Sequence, residues 1–217
     1  MSTKPHSAAQ SATSIPPDDP QRNLAVRQAD GPNLLHIGLV GDTYTTLLSG
    51  KDTADRFCMI DMHVPPGGGP PPHRHDFEES FVVLEGEIET IFRGAKSVVT
   101  AGKTIHIPAN APHQFRNASE KPARLLCICS PAGQEEFFAQ LGVPVATRTT
   151  APPRLDEQAQ AQFRAKAEAL APKIQNRVPA TRLKIHFAAS VKPPTVLPLT
   201  QTPDTGLFWR ESDLRNS

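Results

Sequence analysis

The chain has 217 residues, enough to bury one good core with a small appendage but not two full domains. Its 23 Lys and Arg against 22 Asp and Glu leave a formal net charge of +1, so no overall field draws it to nucleic acid or anionic lipid, and the implied partner is a small neutral molecule or organic anion. No run approaches the ~18 consecutive apolar residues that span a bilayer, and the N-terminal segment MSTKPHSAAQSATSIPPDDP has no apolar run of the signal-peptide kind, so the expected location is the cytoplasm.

Residues 1–22 are rich in Ser, Ala, Pro and Gln and bury too little to offset their ordering entropy, so a disordered extension is predicted there. An all-β barrel domain is predicted over residues 23–145, and from Leu34 to Ser130 the chain reads as short strands separated by Gly, Pro and Asn turns, the pattern of an antiparallel barrel or sandwich. The predicted strands are LLHIGL, YTTLLS, FCMIDMHV, ESFVVLEG, EIETIFR, KSVVT, KTIHIP, HQFRN and ARLLCICS. In FCMIDMHV, Cys58, Ile60, Met62 and Val64 alternate with Phe57, Met59, Asp61 and His63. One face is therefore apolar and the other mixed, as in a wall between a packed layer and a functional or solvent-facing side. Cys58, Cys127 and Cys129 lie inside these apolar segments and read as reduced core residues.

Helical spacing comes later, in GQEEFFAQLG and in a segment of residues 146–172, where Leu155, Ala159, Phe163, Ala167 and Leu170 recur at steps of three and four. Pro152 and Pro153 suit its entry and Pro172 its exit, and its narrow, Ala-rich stripe predicts packing on the barrel exterior or on a partner subunit. Residues 173–217 are Pro-rich and basic without a clear period, which predicts a poorly ordered, solvated tail.

The most informative segment is GGGPPPHRHDFEESFVVLEG, residues 67–86. Glycine freedom followed by three prolines predicts a stiff, extended approach to His73. In extended chain His73 and His75 project to one side, and two converging imidazoles clamp a metal. Glu79 keeps their parity and Glu78 does not, which selects Glu79 as the carboxylate ligand unless a bulge intervenes. Phe81 and Val83 continue the same parity and are predicted to line the interior. A second segment, GKTIHIPANAPHQFRN, supplies His113 from another strand. Three neutral nitrogens and one carboxylate oxygen suit one divalent transition metal (Fe, Mn, Ni, Co, Cu or Zn) rather than calcium or magnesium. Phe81, Val83, His106 and Phe115 are the candidate substrate-facing residues. Strand phenylalanines more often serve core packing, and His106 also reads as a hydrogen-bonded structural histidine.

These residues resemble the cupin superfamily in its single-domain form. Its first motif is met by Gly67, His73, His75, Glu79 and Gly86, and its second by Gly102, Pro108, His113 and Asn117, with Asn110 where the pattern has Gly. Asn tolerates the left-handed conformation that Gly is used for, so the turn should survive. The resemblance implies a jelly-roll barrel with the metal inside, in a homodimer. The ligand set is similar to that of cupin dioxygenases such as quercetin dioxygenase, which implies oxygen chemistry on a small flavonol- or diketone-like compound, with Glu79 doubling as catalytic general base. A redox-silent isomerase, decarboxylase or hydrolase and a non-enzymatic small-molecule binder are the alternatives, because the fold hosts all of these.

Overall fold

The computed structural model describes residues 17–175 and 186–187. In chain order its elements are β1 (His36–Leu39), β2 (Asp42–Leu48), α1 (Gly50–Thr53), β3 (Cys58–Val64), β4 (His73–Arg74), β5 (Glu78–Glu85), β6 (Glu87–Phe92), β7 (Ala95–Thr100), β8 (Thr104–Ile107), β9 (His113–Arg116), β10 (Ala123–Ser130), α2 (Gln134–Leu141), β11 (Val143–Val145), α3 (Glu157–Gln175) and β12 (His186–Phe187). Each of the nine strands predicted from alternation is present. The short β4, β11 and β12 and the one-turn α1 are additions, all too brief to show a period of two or of 3.6.

The strands form two antiparallel sheets, one ordered β11-β1-β2-β3-β10-β5-β8 and the other β12-β4-β9-β6-β7. Together they make a jelly-roll barrel whose core lies between the sheets. Alternation is what fills it. Cys58, Ile60, Met62 and Val64 of β3, Leu125, Cys127 and Cys129 of β10, and Phe81 and Val83 of β5 are all buried, and Ile88 and Phe115 face them from the second sheet.

The mixed face of β3 is the exterior one, the second of the two alternatives expected for it, and the site lies on the apolar side. On that exterior face Asp61 is fully buried. Arg124 of β10 reaches it with Nε and Nη2, both 2.8 Å from Oδ2, and Arg148 Nη1 lies 3.7 Å from Oδ1. The segment after β11 thus folds back over the sheet, where Thr43 Oγ1 also donates to the Thr150 carbonyl at 2.8 Å.

Helix α3 packs on α2, with Ala167 buried and Phe163 and Leu170 against the core, as its stripe predicted. It does not stop at Pro172 but runs on to Gln175. A proline removes one bond to the carbonyl four residues back, and here that loss does not end the helix. Most of the Pro-rich segment 173–217, and residues 1–16 of the N-terminal extension, lie outside the described residues. Residues 17–22 are exposed.

Candidate metal centre

Three chain segments deliver the ligand set, and local backbone chemistry aims each of them. Gly69 has φ 122°, and a Cβ there would stand 2.3 Å from the Phe115 carbonyl oxygen, so only glycine lets the loop cross β9 this closely. Its N–H donates to Oδ1 of buried Asp42 at 3.1 Å. The prolines after it lead into β4, where His73 pairs in register with His113 of β9. On the far side, Asn110 adopts φ 64°, the left-handed conformation expected of it, and its N–H donates to the His75 carbonyl at 2.6 Å. The turn before His113 is thereby bonded to the His75 backbone.

Parity survives the break between β4 and β5. Glu79 is buried, whereas Glu78 points outward and pairs with His106 Nε2 at 3.0 Å. The donor atoms of His73, His75, Glu79 and His113 all lie within 4.8 Å of one another. His75 Nε2 is 3.1 Å and His113 Nε2 3.3 Å from Oε2 of Glu79. Donors bound at about 2.1 Å to one ion stand about 3.0–3.4 Å apart when adjacent, so these edges already have coordination size.

Hydrogen bonds on the outer side of each imidazole settle which nitrogen faces inward. Nδ1 of His73 lies 2.8 Å from the Pro71 carbonyl, Nδ1 of His75 2.9 Å from that of Phe77, and Nδ1 of His113 2.9 Å from that of Ala111. A carbonyl only accepts, so each Nδ1 carries the proton and each Nε2 presents its lone pair to the centre. His113 Nε2 is buried and makes no hydrogen bond. Lone pairs facing a carboxylate oxygen need a cation between them, a proton or a metal ion. The four residues therefore fit the divalent transition metal that the donor set implies.

The electrostatics separate His73 from His113. Burial, with His113 acting in the same direction, pushes His73 down to about 4, so this imidazole is neutral and ready to ligate at neutral pH. Burial also depresses His113, but the Glu79 carboxylate beside it outweighs that and leaves it raised. Burial alone would raise Glu79; contacts from His113 and His75 more than reverse this and hold it well below the usual carboxylate range.

Beside the imidazoles opens a cavity of about 370 Å³ whose walls include His113, Phe81, Phe115, Phe92 and Ile105. Phe81 and Phe115 meet edge to face with centroids 5.3 Å apart. Of the four substrate-facing residues expected from sequence, these two flank the centre. Val83 is packed in the core with no exposed surface and is not among the cavity's lining residues. His106 sits at the cavity margin, with its ring exposed and bonded to Ser80 and Glu78. Its register partner on β5 is Ser80, one position out of phase with Glu79 and Phe81.

Three neighbours of the ligands were not legible as such. Phe77 is buried and stacks on His75 at 3.7 Å between centroids and 8° between planes, which fixes the ring's tilt. Cys127 and Cys129 direct their thiols at Oε1 of Glu79, at 3.5 and 3.8 Å. Cys129 pulls the Cys127 thiol down, but burial and the Glu79 charge win and push it up to about 12. Both cysteines alternate in ARLLCICS, but only the register of β10 on β5 shows which carboxylate they face.

Residues 60–129 match the family model described as the cupin domain. This chain carries a cupin domain. The cupin is 27% identical over 128 residues to quercetin 2,3-dioxygenase of Bacillus subtilis, a match covering 58% of this chain and 37% of that protein. It is 39% identical over 108 residues to auxin-binding protein 1 of Arabidopsis thaliana, covering 46% of this chain and 51% of that one. It thus spans about half or less of these relatives' lengths. Among solved structures it is similar to an RmlC-like cupin from Shewanella frigidimarina, with TM-score 0.43, 19% identity, and 49% of this chain and 91% of that chain covered.

Proposed function

We propose that this cupin holds one divalent transition metal through His73, His75, Glu79 and His113 and acts as a dioxygenase on a small, partly apolar compound that chelates the ion, such as a flavonol or diketone. The observation that carries the reading is the placement of three inward Nε2 lone pairs and one carboxylate at the wall of a cavity lined by Phe81 and Phe115. The 27% identity to a quercetin dioxygenase supports it. A bound ion supplies Lewis acidity and open coordination positions. The chain's own residues do the rest. Phe81 and Phe115 stack against a planar substrate and exclude water, Phe77 holds the His75 ring in plane, and Oε2 of Glu79 takes the proton of the substrate hydroxyl.

Replacing Glu79 with Gln should lower oxygen uptake at least 100-fold, in a screen of flavonols, catechols and diketones, while metal content falls less than threefold. Equal loss of both would leave Glu79 a ligand only. A second reading, a non-enzymatic small-molecule binder, is favoured by the 39% identity to an auxin-binding protein; ligand-dependent thermal stabilisation without any oxygen consumption would select it. The same reading makes the protein a homodimer, supported by half-buried Met59, Val82, Leu126 and Ile128 side by side on the exterior face of β3, β5 and β10. Light scattering on the eluted protein measures its mass.

A further inference from the structure

Behind the Glu79 carboxylate lies a donor set that the imidazole centre does not use. Cys127 and Cys129 alternate on the inward face of β10, and Cys129 stands in register with Glu79 of β5 on one side and with Cys58 of β3 on the other. The Sγ atoms of Cys127 and Cys129 are 3.5 Å apart, and they lie 3.5 and 3.8 Å from Oε1 of Glu79. The two carboxylate oxygens therefore have divided surroundings: Oε2 meets imidazole nitrogens and Oε1 meets sulfur.

Size decides what this triangle can hold. A tetrahedral ion with metal–sulfur bonds of about 2.3 Å and a metal–oxygen bond of about 2.0 Å needs a sulfur–sulfur edge of about 3.8 Å and sulfur–oxygen edges of about 3.5 Å. The three edges present depart from these by at most about 0.3 Å. Two thiols packed only as small hydrophobes would be expected against apolar neighbours, not with a carboxylate oxygen at the third corner. All three residues are buried, and sulfur donors select soft ions over magnesium, manganese or calcium.

We propose that Cys127, Cys129 and Oε1 of Glu79 form a second metal site, for a thiophilic ion of the Cd(II), Zn(II) or Cu(I) type, with Glu79 shared between it and the imidazole centre. On binding, each thiol S–H bond breaks, the proton goes to solvent and a sulfur–metal bond forms, with no change in oxidation state. A soft ion at this position competes for the carboxylate that the imidazole centre needs, so its binding weakens that centre.

The test is an anaerobic titration of the full-length, reduced protein with Cd(II), following the ultraviolet sulfur-to-cadmium charge-transfer band. The wild type and the H73A/H113A variant are expected to develop the band with one equivalent of Cd(II). C127S/C129S should lose it and bind Cd(II) at least tenfold more weakly, yet keep binding Co(II) through the imidazoles. Absence of the band in the wild type, or its survival in C127S/C129S, overturns the proposal. X-ray absorption on the cadmium-loaded wild type needs no variant to fold: two or more sulfur ligands support the site, and one or none overturns it. Failure of the cadmium-free wild type to bind Co(II), with the cadmium band present in a separate titration, would instead overturn the imidazole centre alone.

Discussion

Asp42 shows how one residue can link the loop, the core and pH. It is buried at the start of β2, accepts from Tyr44 Oη at 3.1 Å and from the Gly69 N–H, and burial pushes its carboxyl from 3.8 up to about 7 against both of those bonds. Because the folded state holds the proton more tightly than the unfolded chain, Asp42 adds stability that is complete below about pH 3.8 and lost as pH rises through about 7. Asp42→Asn keeps the shape and the acceptor for Gly69 but cannot ionise. Its melting temperature relative to wild type should therefore rise by several degrees between pH 5 and pH 8, measured by calorimetry; a constant difference would show that Asp42 stays ionised throughout. Asn110 belongs to this scale too, since its left-handed φ could be expected from residue type alone. The role of Phe77 could not. Its stacking on His75 depends on a turn between β4 and β5 that no alternation reports.

At the level of elements, the exterior of the first sheet is held by charge. Arg124 of β10 spans to Asp61 of β3, and also to Glu85 of β5 at 3.4 Å. Removing one partner of a buried pair strands the other. Arg124→Ala should cost about 3 kcal/mol in urea unfolding, whereas the joint replacement Asp61→Asn with Arg124→Met should cost about 1 kcal/mol or less. A single-variant loss below about 1 kcal/mol would mean that Arg148 alone neutralises Asp61. The sequence placed Asp61 on the mixed face of its strand; it did not show the arginines, which come from β10 and from the segment after β11.

For the whole molecule, the candidate metal centre draws on β4, β5 and β9, strands from both sheets. Metal binding should therefore act as a clasp on the barrel. Co(II) or Ni(II) at about 100 times its Kd should stabilise the protein by about 2.7 kcal/mol, and a chelator should remove that gain. His113→Ala should melt at the same temperature with and without metal, as read by differential scanning fluorimetry. A metal-dependent shift persisting in that variant would place the ion elsewhere. Among the described residues no helix is long and apolar enough to cross a membrane.

What the sequence by itself determined is the part of the protein governed by local periodicity: the nine longer strands, the shared parity of His73, His75 and Glu79, and the two motifs that supply the candidate ligands. Those follow from the two-residue repeat of extended chain and from the conformational demands of Gly, Pro and Asn. Only the tertiary structure decided that His106 stands with Glu78 and Ser80 and not with Phe81, and that two thiols meet the back of the ligand carboxylate. Each depends on strand register and sheet order, which are set by contacts between residues far apart in the chain and leave no trace in any single segment.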